Sequence, residues 1–305
     1  MKKSFRSALA LLLTLALVLG SFAGCAAEKS EELKPVATQT VTDSIGREVE
    51  LPGDIQKLAP AGSLAQIVLY GLAPDRMVGW TTKPTEDMAK YFDEKYINLP
   101  TFGTFYGKNA DLNIEALIAA APQVVIDIGE AKGDMKADLD ALQEQLGIPV
   151  IFVEAKLNSM GEAYRTLGDI LNLPEEAKAL ADYCDGTVSQ IKEGLEAIPA
   201  DQRVSIYYGE GETGLMTNPK GSFHAEVIDL IGGVNVADIP ITSGAGGNEI
   251  SMEQLLLWDP DVIIFGPDSV YGKVGADPMW RDVAAVQQGT YYEIPAEPFN
   301  WMGRP

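Results

Sequence analysis

Histidine and cysteine are almost missing from this chain: 305 residues carry one histidine, His224, and two cysteines, Cys25 and Cys184. Capture of a bare zinc or manganese ion wants several imidazole and carboxylate ligands, so a multi-histidine metal site is excluded. Catalytic signatures are lacking as well. There is no Gly-x-Ser-x-Gly elbow, no Cys-x-x-Cys pair, no phosphate-binding glycine loop with lysine and no His-Glu-x-x-His. A Ser-His-Asp triad would have to use His224, and Gly244-Ala-Gly-Gly247 follows no strand-to-helix dinucleotide pattern. These gaps argue against an enzyme. Positive charge is scarce too, with 23 Lys and Arg against 44 Asp and Glu and a net charge of −21. Such acidity argues against nucleic acid or an anionic membrane surface as partner.

Long apolar runs are also missing, and the longest, Ala8 to Gly20, has 13 residues. That is short of the roughly 20 that span a bilayer as a helix. It follows Met1-Lys-Lys-Ser-Phe-Arg6 and precedes Ser21-Phe-Ala-Gly-Cys25, which are the parts of a signal peptide over residues 1–24. Phe22-Ala-Gly-Cys25 resembles the lipobox of bacterial lipoproteins, which implies cleavage before Cys25 and a lipid carried on that cysteine. Cys184 then has no partner, so no disulfide framework is expected, and a buried core thiol is. Residues 25–40 are polar and aperiodic and read as a flexible tether from the membrane. Loss of Lys2, Lys3 and Arg6 with the leader takes the net charge to −24.

What the chain does contain is one phrase written twice. Glu115-Ala-Leu-Ile-Ala-Ala-Ala-Pro122-Gln-Val-Val-Ile126 returns 138 residues later as Glu253-Gln-Leu-Leu-Leu-Trp-Asp-Pro260-Asp-Val-Ile-Ile264. Each copy reads as a short helix, a proline break and a buried strand. Asn113 and Ser251 stand at N-cap positions, and Ser251-Met-Glu-Gln254 fits a capping box. Glu115 and Glu253 therefore occupy equivalent places in two lobes of one plan. A first-turn glutamate complements the helix dipole whatever else it does.

The remaining pattern supports an α/β fold of two Rossmann-like lobes with mainly parallel sheets. Val41 to Pro52 predicts a hairpin turning near Ser44 to Gly46. Strands are predicted at 58–59, 77–79, 124–128 and 150–153, with helices over 63–70, 114–120 and 134–146. The second series predicts strands at 204–208, 262–265 and 291–294, and helices over 223–231, 252–257 and 280–286. Gly62-Ser63 and Gly221-Ser222 each precede the first helix of their half. Between the halves, Ala177, Ala181, Cys184, Val188, Ile191, Leu195 and Ile198 alternate steps of four and three, predicting one long connecting helix. The expected boundaries are a first lobe over 41–157, a linker region over 158–200 and a second lobe over 201–305.

From about Val41 onward these residues resemble the solute-binding proteins of ATP-binding cassette (ABC) importers that capture ferric siderophores, haem, cobalamin and related chelates. The resemblance rests on Thr42-Asp-Ser-Ile-Gly-Arg-Glu-Val-Glu50, both glutamate phrases, the connecting helix and Gly221-Ser-Phe-His-Ala-Glu-Val-Ile-Asp-Leu-Ile-Gly-Gly-Val-Asn-Val-Ala237. It implies two lobes joined by one rigid helix, a ligand cleft between them, and a monomeric protein exported and lipid-anchored, facing the periplasm or the cell exterior. It also implies a permease dimer with its ATPase subunits as partner, docked through Glu115 and Glu253, and no bound cofactor beyond the metal-chelate ligand. Such proteins carry a further helix after the segment resembling Pro298-Phe-Asn-Trp-Met-Gly-Arg-Pro305, so a shortened second lobe is expected.

Ligands of open α/β sheets gather beyond the carboxyl ends of the strands. Applied to both lobes, that rule selects loops holding Trp80, Phe105, Tyr106, Tyr208, His224, Tyr271, Trp301 and Arg304. Of these, Trp80, Tyr106, Tyr208, His224, Tyr271, Trp301 and Arg304 are the candidate ligand contacts. Aromatic walls with few polar groups suit a bulky chelate. The helix starts after Gly62-Ser63 and Gly221-Ser222 keep a molybdate or tungstate oxyanion as the alternative ligand.

Overall fold

The computed structural model describes residues 37–105, 110–242, 247–267 and 269–302. In chain order the first lobe runs β1 (Thr38–Thr42), β2 (Glu48–Pro52), β3 (Leu58–Pro60), α1 (Ser63–Leu72), α2 (Glu86–Ala89), α3 (Glu94–Ile97), α4 (Ile114–Ala120), β4 (Val124–Gly129), α5 (Met135–Leu146) and β5 (Val150–Glu154). Two helices follow, α6 (Met160–Leu171) and α7 (Pro174–Glu196). The second lobe runs β6 (Ser205–Gly209), β7 (Met216–Thr217), α8 (Glu226–Leu230), β8 (Val234–Asn235), β9 (Asn248–Glu249), α9 (Met252–Trp258), β10 (Val262–Phe265), α10 (Tyr271–Val274), α11 (Ala284–Gln288) and β11 (Tyr291–Glu293).

The duplicated phrase fixes the register of both sheets. In the first lobe β3, β4 and β5 lie side by side and parallel, with Met77 bridged to Leu58 beyond β3. In the second the order is β11-β10-β6-β8, again parallel. The residue three past Pro122, Val125, pairs with Ala59 on one side and Val150 on the other. Three past Pro260, Ile263 pairs with Tyr207 and Tyr291 in the same sense. Each central strand is a β-branched run because helices or loops cover both of its faces. Val124, Val125 and Ile126 are fully buried, and each such side chain stabilises the fold by about 1.5–3 kcal/mol.

The two helices before those strands end alike. Ala121 and Asp259 both take left-handed backbone, at φ 49° and 44°, which reverses the chain into the proline and the strand. The residue after each proline then ties down the first strand of its sheet. Gln123 Oε1 accepts the Lys57 N–H at 2.9 Å, and Asp261 Oδ2 accepts the Ser205 N–H at 2.8 Å.

The predicted hairpin is present, begins at Thr38 rather than Val41, and packs its turn against the edge strand β5. Ser44 N–H donates to Phe152 O at 3.0 Å, and Glu154 N–H donates to Ser44 Oγ at 2.9 Å. Arg47, wholly buried, donates to Asp43, Asp140, Gln143 and the Val150 carbonyl. A hairpin so anchored supplies partners to an edge that would otherwise offer unpaired backbone groups.

Several expected elements differ. The linker region over 158–200 contains two helices, because α6 carries its own apolar stripe of Met160, Ala163, Tyr164, Leu167 and Leu171 into the first-lobe core. It packs closely on α7, since a Cβ on Gly168 would lie 2.4 Å from that of Ala177. The first part of the periodic face of α7 is buried at Ala177 and Ala181, but Cys184 is half-buried where a core thiol was expected, and Ile198 lies past the helix end and is exposed, because the far half of the helix leaves the first-lobe core. At about 1.5 Å per residue its 23 residues reach about 34 Å, to where Leu195 fills the space a side chain on Gly232 would need. The helix expected over 280–286 starts only at Ala284, because Trp280 and Val283 turn inward to the core. The strand expected over 77–79 is reduced to the single bridge at Met77.

Candidate ligand cleft and docking helices

The loops at the carboxyl ends of the two sheets meet one another. Lys132, just past β4, holds its ammonium 5.7 Å from the centre of the Phe223 ring in the second lobe. Lys90 forms an ion pair with Glu297, and Phe92 meets Phe299 edge-on at 5.9 Å. Leu157 N–H donates to Glu226 Oε2 at 3.3 Å. All four contacts join residues of the first lobe to residues of the second.

Trp80 and Tyr208, two of the sequence-predicted contacts, belong instead to the cores. Trp80 is fully buried, donates its indole N–H to Tyr96 O at 2.8 Å, and stacks within a cluster of Tyr70, Phe92 and Tyr96. Its position at a strand end suggested the cleft; the aromatic residues of α1, α3 and the 90–92 turn enclose it. Phe105 is buried as well. Tyr208 is fully buried, and its hydroxyl donates to Glu210 Oε1 at 3.0 Å. Burial and the neighbouring Glu210 charge push its phenol far above the ordinary range, so it stays a neutral donor. Tyr271 is half-buried between Phe265 and Tyr291. His224 is exposed, its ring edge-on to Phe223 at 5.0 Å. Trp301 is 62% exposed and donates its indole N–H to Glu297 O at 3.2 Å. Tyr106 and Arg304, like Cys25, lie outside the described residues.

The sequence reading missed a polar knot behind the second-lobe loops. Glu210 Oε2 accepts from Asn218 Nδ2 at 2.5 Å, and Asn235 Nδ2 donates to Asn218 O at 3.0 Å. The knot ties β6, the 218 turn and β8 together one residue past the sheet, where Glu210 alone gave a signal by its place after a strand. The segment after β11, which the sequence places among the cleft loops through Trp301 and Arg304, fastens to both lobes. Ile294 N–H donates to Phe265 O, and Met302 is buried beside Tyr208, while Phe299 packs on the first-lobe core. Ser222, buried at the start of the 223–225 turn, keeps a hydroxyl with no hydrogen-bond partner among the described residues. In the first lobe the buried Asp127 carboxyl lies near the corresponding helix start, its Oδ1 3.9 Å from where a Cβ on Gly62 would be.

The docking candidates are placed as the repeat predicts. Glu115 and Glu253 are each the second residue of a seven-residue helix, two residues past a side-chain N-cap: Asn113 Oδ1 accepts Ala116 N–H at 3.0 Å, and Ser251 Oγ accepts Gln254 N–H at 3.2 Å. Both glutamates are exposed, and neither pairs with a described cation.

Residues 61–298 match the family model described as periplasmic binding protein. The chain belongs to the periplasmic binding protein family. This periplasmic binding protein is 24% identical over 203 residues to the vitamin B12-binding protein of Vibrio cholerae, a match over 64% of the chain and 66% of that relative's length. Among solved structures it is similar to an ABC transporter solute binding protein from Sulfurospirillum deleyianum, with a TM-score of 0.79 at 29% identity over 87% of this chain and 83% of that one. It shares its fold with the molybdate-bound periplasmic binding protein MolA of Haemophilus influenzae, at a TM-score of 0.69 and 19% identity, covering 87% and 86% of the two chains. Two lobes of mainly parallel sheet joined through a long helix are therefore the architecture of this periplasmic binding protein. Among the described residues no helix is long and apolar enough to cross a membrane.

Proposed function

We propose that this chain is the substrate-binding lipoprotein of an ABC importer, which captures a metal chelate between its lobes and presents Glu115 and Glu253 to two permease subunits. The observation that carries this is the identical placement of the two glutamates, each on the same turn of the same helix, capped the same way and followed by the same strand register. Equal carboxylates on two similar lobes answer a partner with two equal basic sites.

The single histidine favours a metal already wrapped in an organic chelator, such as a ferric siderophore, haem or cobalamin, over a bare ion. The Asp127 carboxyl near the first-lobe helix start weighs against an oxyanion held between two helix N-termini. Export with a lipid on Cys25 gives the protein its place beside the permease.

Tryptophan fluorescence of the mature protein, titrated with ferric siderophores, haem, cobalamin, molybdate and tungstate, tests the ligand class. Saturable change with a chelate is the expected result; a response to the oxyanions alone replaces it with the alternative. Cys25→Ser is expected to abolish incorporation of labelled palmitate, and continued labelling would remove the anchor from the proposal.

A further inference from the structure

The two helices that carry Glu115 and Glu253 share a second property. Their sequences are Ile-Glu-Ala-Leu-Ile-Ala-Ala and Met-Glu-Gln-Leu-Leu-Leu-Trp, so each bears one charge, the glutamate, and no cation. One turn further on, where residues three and four along share the glutamate's face, the side chains are aliphatic and open to solvent. Ile118 is 53% exposed, its equivalent Leu256 is 40% exposed, and Leu257 is 80% exposed. The core-facing positions are separately filled by Leu117 and Leu255, both fully buried, and none of the three exposed aliphatics belongs to a core cluster. The solvated face of α7 shows the contrast, with Glu175, Lys178, Asp182, Lys192 and Glu193 all exposed.

We infer that Ile118, Leu256 and Leu257 are apolar anchors of the permease contact, flanking each docking carboxylate, and that the partner surface is a pair of basic pockets with aliphatic rims. This rests on the docking role proposed for Glu115 and Glu253 and adds the residues that hold the contact after charge has steered it. An aliphatic rim excludes water from the ion pair, which strengthens it, while the exposed side chains gain burial they lack in the free protein. Charge complementarity selects the partner: a lone acid in an apolar field is matched by a lone cation in an apolar seat. The larger aliphatic pair on α9 makes the second-lobe contact the stronger of the two.

The test uses the mature full-length protein and, in lipid nanodiscs, the permease–ATPase complex whose ATPase activity it stimulates. Ile118→Ser with Leu256→Ser and Leu257→Ser is expected to weaken binding by about tenfold to a hundredfold while keeping the wild-type dependence on salt. Glu115→Ala with Glu253→Ala is expected to weaken binding and flatten that dependence. Ile118→Leu with Leu256→Met, which keeps the apolar surface, is expected to bind as wild type, and all variants to melt within about 2 °C of it because the changed side chains are exposed. If the serine variant binds normally while the glutamate variant fails, the anchors are wrong and the docking role stands. If both bind normally, the docking role falls and the inference with it. Self-association of the wild type in sedimentation, abolished in the serine variant, would assign the face to a second copy and overturn the inference.

Discussion

Asp43→Ala removes a carboxylate that accepts four hydrogen bonds in the first lobe. The side chain is 1% exposed and accepts from Ile45 N–H at 3.2 Å, Arg47 N–H at 2.9 Å, Arg47 Nη1 at 3.2 Å and Phe152 N–H at 3.4 Å. Truncation leaves the Arg47 guanidinium, 2% exposed, with Asp140 at 2.7 Å and the Val150 carbonyl at 2.9 Å, so part of its compensation survives. Removing one partner of a buried ion pair costs about 3–5 kcal/mol, and the backbone donors left without an acceptor keep the loss toward the upper part of that range. For a domain of this size that is a fall of roughly 6–20 °C in melting temperature. Urea unfolding followed by far-ultraviolet circular dichroism, with the slope unchanged, measures it. Asp43→Asn, which keeps an acceptor for the backbone donors, is expected to lose about half as much. A loss below about 1 kcal/mol for the alanine variant would refute the reasoning and show that Asp140, Gln143 and the Val150 carbonyl together satisfy the arginine.

Two further outcomes follow from the repeated phrase. Hydrogen bonds from the Ser205 hydroxyl and N–H hold the Asp261 carboxyl below its ordinary range. Its folded-state value is depressed, so its contribution is present above the unfolded value near about 3.9 and is lost as pH falls through the folded one. Asp261→Ala is therefore expected to cost about 1 kcal/mol at neutral pH, discounted for exposure, with a difference from wild type that narrows below about pH 4. A difference that stays constant with pH in urea titrations would contradict this. Ala121→Gly is expected to stabilise by about 0.5–1 kcal/mol and Asp259→Gly by less, since glycine takes left-handed backbone freely and Asp tolerates it better than Ala. A lowered melting temperature for Ala121→Gly would show that the loop relaxes at no cost.

The parts of the fold written in local pattern were legible. The period of the apolar residues, the proline breaks and the N-caps placed α4, α9, β4 and β10 to within a residue or two. The helix over 160–171 was missed because it starts without a side-chain N-cap and ends on a left-handed Asn172 in place of a glycine. The cleft was read less well, for a physical reason. A strand-end aromatic is indistinguishable in sequence from a cleft wall, and whether Trp80 or Tyr208 faces ligand depends on residues far along the chain: Tyr96 in one case, Glu210 and Met302 in the other. The Thr42 to Glu50 motif that marked the resemblance is structural, since Asp43 and Arg47 spend their hydrogen bonds on the hairpin and β5.

Phe299 belongs to the second lobe by sequence and to the first lobe by packing. Its ring touches Phe92, which touches Trp80, so a displacement of the 297–301 segment is carried across one ring to a buried indole. Trp301 hangs from the same segment, hydrogen-bonded to Glu297. Two of the chain's four tryptophans are thereby wired to the relative position of the lobes, one shielded from water and one open to it. Their emission would report any separation of the lobes: it would alter the surroundings of both together, whereas a ligand quenching Trp301 alone would leave the buried band unchanged.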